Sequence, residues 1–402
     1  MDLLTYEQKQ LPWYRTMRDK QPVHYREREQ LWEVFRYNDV REVLSNPEIF
    51  SSEFRQEDDA DQPLRTTLIS SDPPRHTELR GLVARDFTPR GVARLAPRIT
   101  QIANELLDQV TPVGQMDVVT AIAEPLPVMV IAELLGIPPE ERARFKAWSD
   151  VVISGSLEER QQARRRDVHG AAAVARDEML AYFEEAIAQR RRQPRDDLIS
   201  NLIAARINGQ ALSQQELLGF CILLLVAGNI TTTNLITNAV ICFDEHPEVI
   251  EWLRAEPKLL TGAVEEVLRY RSPVHFLFRI AKTNVRLGDQ EIQAGQAIMP
   301  WVASANRDEA EFPEPDRFDI ERTPNRHLSF GHDIHFCLGA HLSRLETRIA
   351  LSAMLERLPG MRRVPNTPLE MIDSAFIYGV KRLPITFAPS AVGAVKEPIA
   401  TD

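Results

Sequence analysis

The sequence predicts a mainly α-helical chain with smaller β-sheets (α+β), on three observations. Ser213-Gln214-Gln215-Glu216 is a capping box, in which a hydroxyl and a carboxylate each accept an otherwise orphaned N–H, and it opens the longest helical pattern in the chain. Residues 118–135, 138–154 and 157–192 read as a series of further helices. Strand character is confined to short pieces: 23–25 and 31–35 around a charged turn, 274–279, 285–301 around Gly288-Asp289 and Ala294-Gly295, and 376–387.

Composition bounds the rest. The 402 residues are 44% hydrophobic, ample for a large buried core. A net charge of −10 argues against a nucleic-acid partner. Three cysteines (Cys221, Cys242, Cys337) lie far apart with no C-x-x-C, which fits a reducing compartment and no disulfide framework. Asp2, Glu7 and Lys9 interrupt the first ten residues, so neither a signal peptide nor a membrane anchor is expected there. Residues 217–226 are apolar enough to suggest a membrane span, but Asn229, Thr231, Thr232, Thr233, Asn234, Thr237 and Asn238 follow in the same helix, and a buried central helix fits better.

Taken in order, Asn38 is placed to cap a helix at 39–44, and 53–64 is polar, acidic and aperiodic, a mobile loop. Asp72 with Pro73 and Pro74 suits a helix start. His76 and Arg80 then sit four apart on one helical face, where they can hold a pair of carboxylates. Arginines at 160–166 and 190–192 are interleaved with glutamates, a solvated helix surface. Across 217–243 the long helix would span roughly 40 Å. Glu266 and Arg269 share a helix face at i,i+3. In 274–279 alternation places Val274 and Phe276 on one strand face, while Pro359-Gly360 ends a helix over 338–358, and 389–402 is a loose tail.

Cys337 immediately precedes that last helix. A sulfur at a helix N-terminus faces free N–H groups and the positive end of the dipole, which favours its anion. Gly331 and Gly339 allow close backbone approach, and Phe330 and Phe336 add apolar surface. A thiolate in such a setting is what a haem iron takes from a cysteine axial ligand. Phe330, Gly331, His335, Cys337 and Gly339 closely resemble the cysteine loop F-G-x-G-x-H-x-C-x-G of the cytochrome P-450 superfamily, with Asp333 where glycine is usual. Ala227-Gly228-Asn229-Ile230-Thr231-Thr232 resembles the family's A-G-x-[D/E]-T-T, with Ile230 at the acidic position. His76-x-x-x-Arg80 looks like its propionate clamp, and Glu266-x-x-Arg269 with Arg317 looks like its Glu-Arg-Arg scaffold network.

The resemblance covers nearly the whole chain and implies one P-450 domain over 1–402, its long helix lying over haem b, iron protoporphyrin IX. It implies Cys337 as iron ligand; Ala227, Phe330 and Gly339 against the macrocycle; and His76, Arg80, Arg279 and His335 at the propionates. Thr231, with Gly228 and Asn229, is implied on the oxygen side, where Asn229 or Thr232 could stand in for the missing acid. Leu223, Leu224, Ala227, Val274, Phe276, Phe376 and Ile377 are implied as a lipophilic pocket for a fatty acid, terpenoid or steroid-like molecule.

The reaction so implied inserts one oxygen atom of O2 into that molecule. Electrons would come from a ferredoxin or flavodoxin with its NAD(P)H reductase, docking on Arg75, Arg326, Arg344 and Arg348. A soluble, cytoplasmic bacterial type without membrane anchor is expected. Ile230 predicts looser coupling of electrons to product and keeps a peroxide-driven or rearranging enzyme open; a haem-binding carrier or sensor is a third reading.

Overall fold

The computed structural model describes residues 1–53, 66–141, 144–145, 147–148 and 171–390. Most of the 53–64 loop, the arginines at 160–166, residues 157–170 of the third helical stretch and residues 391–402 of the tail lie outside them.

Gln214–Glu245 is one uninterrupted helix of 32 residues. Its capping box is formed: Ser213 Oγ accepts the Glu216 N–H at 3.2 Å, and the Glu216 carboxylate accepts the Ser213 N–H at 2.8 Å. The helix starts three residues before the predicted bound because the residues of the capping box already lie in its first turn. Of its most apolar window, 72% is buried inside the protein, so this is an internal helix. Polar residues survive there by bonding to carbonyls one turn back: Thr231 to Ala227 at 3.0 Å, Asn234 to Ile230 at 2.8 Å and Thr237 to Thr233 at 3.0 Å.

Around this axis pack Pro125–Leu134, Leu260–Tyr270 and Ala340–Arg357. Gly228 faces the first of these, where an added Cβ would stand 2.8 Å from Ile131 Cδ1. The helix expected over 118–135 is divided: Val119–Ala123 is a π-turn, and Pro125, lacking an N–H, starts the α-helix. The Ala123 carbonyl accepts the Thr233 hydroxyl at 3.0 Å, which ties the turn to the long helix.

Two caps differ from expectation. Tyr37–Ser45 begins at Arg36, not Asn38, and its leading N–H (Tyr37) donates to the Asp308 carboxylate at 2.8 Å. Arg75–Val83 begins at Pro74; the Asp72 carboxylate instead accepts the Ser52 N–H at 2.9 Å and pairs with Lys282. In both cases a long-range partner outcompetes the local one.

The main sheet runs 23–26, 31–34, 297–300, 279–281, 50–51, antiparallel except where 297–300 lies parallel to 31–34. Residues 274–278 form no strand, only a bridge from Val274 to Ile377. Phe276 is 1% exposed within an aromatic cluster under the N-terminal helix Leu3–Lys20, its ring 4.9 Å from Trp301 and 5.6 Å from Phe376. It is core, not pocket wall.

The charged scaffold also differs in one member. Glu266, fully buried, accepts two bonds from Arg269 at 2.8 and 2.7 Å, the Asp319 N–H at 2.9 Å and Asn325 at 3.1 Å. The second arginine on it is Arg322, at 3.2 Å, with a side chain 8% exposed. Arg317, 60% exposed, turns outward to Glu314 and Asp319 and gives the network only its carbonyl, which accepts from Arg269 at 3.1 Å. A fully bonded buried carboxylate is worth its burial only while every partner stays in place.

Replacing Glu266 with Gln is therefore expected to cost about 3–5 kcal/mol by stranding the Arg269 charge, Arg322→Ala about 1–3, and Arg317→Ala within about 0.5, read from denaturant midpoints. A second expectation concerns acid. His275 is buried against Tyr378, its Nδ1 is hydrogen-bonded with the Tyr6 hydroxyl at 3.0 Å, and burial holds its pKa down at about 3, against the ordinary 6.5. Between those values the unfolded chain binds the proton that the folded chain refuses, so stability falls as pH drops from 6.5 toward 3. His275→Gln should flatten that slope in pH-dependent melting; an unchanged slope would rule out His275 as its source.

Candidate active site

Cys337 closes a loop whose shape is set by two left-handed residues. Gly331 has φ +72, and Asp333, where the motif has glycine, has φ +53, a region Asp tolerates better than most side chains. The Cys337 N–H donates to the Phe330 carbonyl at 2.7 Å, so the loop folds back on its own first residue. Gly339 caps Ala340–Arg357, and a Cβ there would meet nothing within 4 Å, leaving room beside the sulfur.

The sulfur's electrostatics differ from the expectation of a helix terminus alone. Burial pushes the Cys337 thiol up, and the Gly339 N–H, Arg80 and Arg344 pull it back only in part. Yet the side chain has accessible surface. Both facts fit a residue facing a hollow within the fold rather than bulk water.

One edge of that hollow gathers basic groups with no acid hydrogen-bonded to them; the nearest acid acting on them, Asp72, is bonded to Ser52 and Lys282 instead. His76 is 1% exposed, and neither ring nitrogen has a partner among the described residues; nor has His335 Nε2. The two rings lie 4.3 Å apart. Arg279 is buried, donates to the Phe278 carbonyl at 2.8 Å, and is held at about 10 by that burial. Arg80 donates to the Phe336 carbonyl at 2.7 Å. Burial likewise depresses His76, and holds His335 at about 3. Buried donors left without acceptors cost about 1–3 kcal/mol each, so this set is built for an acceptor from outside the chain. A pair of carboxylates, as haem propionates are, fits it.

The long helix carries a second run of accessible surface in the interior. Leu223, Val226, Ala227, Ile230 and Thr231 keep accessible surface in an otherwise buried stretch, spaced as one helical stripe. Leu224, one residue off the stripe, is buried on another face. Asn229 is buried beside Thr233, whose hydroxyl reaches its side-chain oxygen at 3.3 Å. Thr232 donates to Ser343 on the helix after the cysteine at 3.1 Å. Neither faces the hollow, so the expected substitutes for the missing acid are turned into packing. Gly228 keeps accessible surface like its neighbours on the stripe, while an added Cβ would meet Ile131 on the other side.

Of the other expected pocket residues, Val274 is half-buried, Phe376 is 38% exposed and Ile377 is buried. Leu277, which the sequence reading missed, is partly exposed and comes 3.9 Å from where a Gly331 Cβ would stand. The shared 277/279 parity with Arg279 was the available signal.

The four arginines expected to dock a protein are mostly committed. Arg75 pairs with Glu78 and Glu216. Arg344 forms a two-pronged bond to Glu265, 2.7 Å on each side, and Arg348 reaches Thr261 at 3.4 Å. Arg326 is the exposed member, 3.9 Å from Glu311.

Comparison with known proteins matches this arrangement. The family model described as Cytochrome P450 matches residues 160–359. Cytochrome P450 109 of Bacillus spizizenii is 42% identical over 382 residues, 93% of this chain and 91% of that protein. Vitamin D(3) 25-hydroxylase of Pseudonocardia autotrophica is 38% identical over 396 residues, 96% of this chain and 95% of that one. The crystal structure of CYP109E1 from Bacillus megaterium in complex with testosterone superposes with TM-score 0.88 at 43% identity, covering 94% of this chain and 98% of that one. The chain belongs to the cytochrome P450 family: it is a haem-iron monooxygenase that acts on a lipophilic molecule with O2 and electrons from a redox partner.

Proposed function

We propose that this enzyme hydroxylates steroid-like molecules, using haem b with Cys337 as its axial sulfur. The observation that carries the reading is the cluster of buried basic groups, His76, His335 and Arg279, near the sulfur, none of them hydrogen-bonded to an acid among the described residues. His76, Arg80, Arg279 and His335 would hold the haem propionates, and Ala227, Phe330 and Gly339 would offer the ring apolar surface and room. When bound, the haem supplies activation of O2 toward a C–H or C=C bond.

Leu223, Val226, Ala227 and Ile230, with Val274, Leu277 and Phe376, present carbon surface and exclude water from an apolar guest. Relatives described with testosterone and vitamin D3 support a steroid-like guest. The Thr231 hydrogen is committed to the Ala227 carbonyl, so its oxygen offers lone pairs to an incoming O–H. Thr231 thus holds a proton donor near the reacting centre, but Ile230 cannot replenish it. Electrons reach the site from a ferredoxin or flavodoxin and its NAD(P)H reductase, and the chain works as one cytoplasmic domain over 1–402. Ile230 favours a second reading, turnover driven by peroxide alone.

The purified, haem-loaded protein should show the thiolate-type ferrous carbonyl band, lose it in Cys337→Ser, and give a substrate spin shift and hydroxylated product with testosterone. A histidine-type band in the wild type overturns the ligand assignment. Ile230→Glu should raise product per NAD(P)H, since a positioned proton donor contributes about a hundredfold to the step it serves. No gain with unchanged testosterone affinity removes Ile230 as the cause of uncoupling, and a peroxide-only rate above the reductase-coupled rate decides for the second reading.

A further inference from the structure

Arg344 lies one turn into Ala340–Arg357. Its guanidinium carbon is 4.4 Å from the centre of the Phe330 ring, and Phe330 is the residue whose carbonyl accepts the Cys337 N–H. A cation over an aromatic face with a carboxylate gripping its rim is fixed in place. The grip is Glu265 on Leu260–Tyr270, 2.7 Å from Nε and 2.7 Å from Nη2. Glu265 is itself held by His327 Nε2 at 3.1 Å. The other ring nitrogen of His327 accepts the Ser329 N–H at 3.3 Å, which fixes the ring's orientation toward Glu265. Burial would raise the Glu265 carboxyl, but Arg344 and His327 hold it down at about 2, so the pair stays fully charged. Arg344 thus stacks on the residue hydrogen-bonded to Cys337 and is one of two cations, with Arg80, that act on the sulfur, while Glu265 grips it from Leu260–Tyr270.

From this geometry we propose that the Glu265–Arg344 pair tunes the reduction potential of the haem iron, its inner cation favouring the reduced state and its outer anion cancelling part of that effect. The inference rests on Cys337 as axial ligand. Reduction adds one electron, delivered by the redox partner, to a centre already bearing a thiolate. A nearby positive charge stabilises that product, and Coulomb energy in a half-buried setting is several times its value in water. Arg344 is thus a positioning residue with a field, and not the free docking cation its sequence position suggests.

The test is a spectroelectrochemical titration of the full-length, haem-loaded protein and four variants, with the ferrous carbonyl band recorded for each. Arg344→Gln leaves the Glu265 anion unmasked and should shift the one-electron equilibrium threefold to tenfold toward the oxidised form, a tenfold change being about 59 mV. Glu265→Gln unmasks the cation and should shift it the opposite way. The double variant should return toward wild type, and Arg344→Lys, which keeps the charge but not the fork, should stay near it. Opposite signs in the two single variants are the signature, because loosened packing would move both the same way. Shifts of like sign, or singles both within threefold of wild type, overturn the proposal. Absence of the thiolate band from wild type itself would mark failure of the ligand assignment instead.

Discussion

The structure is organised around a set of buried donors that the protein does not satisfy. The His76 ring nitrogens and His335 Nε2 lie buried with no hydrogen-bond partner among the described residues, beside a buried Arg279 bonded only to a backbone carbonyl; Asp72 acts on all three from a distance, its carboxylate bonded to Ser52 and Lys282. Such groups cost free energy in the polypeptide alone, and the surrounding fold must hold them in position against relaxation. The Glu266 network is the counterpart: every lone pair of a buried carboxylate is taken up by Arg269, Arg322, Asn325 and a backbone N–H. One polar cluster is closed and rigid, the other open and waiting. The first braces the segment that leads into the cysteine loop, and the second gives the loop something to bind.

The long helix solves a related problem in a different way. A helix with this many hydroxyls and amides would be unwelcome in a core, yet each bonds to a carbonyl a turn back or to a neighbour. Most of its polar groups are thereby consumed in packing, the side-chain oxygens of Asn234 and Asn238 excepted, while the stripe from Leu223 to Thr231 keeps accessible surface. The stripe keeps one hydroxyl among carbon. Apolar selectivity and a single oriented oxygen come from the same helical register.

Much of this was legible before any coordinates. Capping chemistry is local, so Ser213 and Glu216 announced the long helix, and the loop motif located Cys337, His335 and the glycines. Asp333 took the left-handed geometry its position demands. The failures share a cause: each turned on a partner distant in sequence. Asp72 was taken by Ser52 and Lys282, the start of Tyr37–Ser45 by Asp308, and Phe276 by an aromatic cluster under the N-terminal helix. Arg317 and Arg322 are five residues apart on an irregular segment, where no periodicity says which one points inward. Gly228 keeps accessible surface and also leaves room for Ile131, because small residues serve helix contact and ligand contact alike.

The two sides of the hollow are electrically unequal, and that inequality links the observations. On the cysteine side, Arg80 and Arg344 act on the sulfur, and the second is locked by Glu265 over Phe330. On the helix side no charged group stands on the stripe, since Ile230 occupies the place where an acid is expected and Thr232 is bonded to Ser343. On the proposed reading, electron supply would be governed by fixed charges near the sulfur, whereas proton supply would depend on the Thr231 hydroxyl and whatever water a guest leaves beside it. If electrons arrive faster than protons, reduced oxygen escapes before it reacts. The Glu265 anion, which on the proposal above offsets part of the pull of Arg344 on the electron, would then be the natural complement to an isoleucine on the other side.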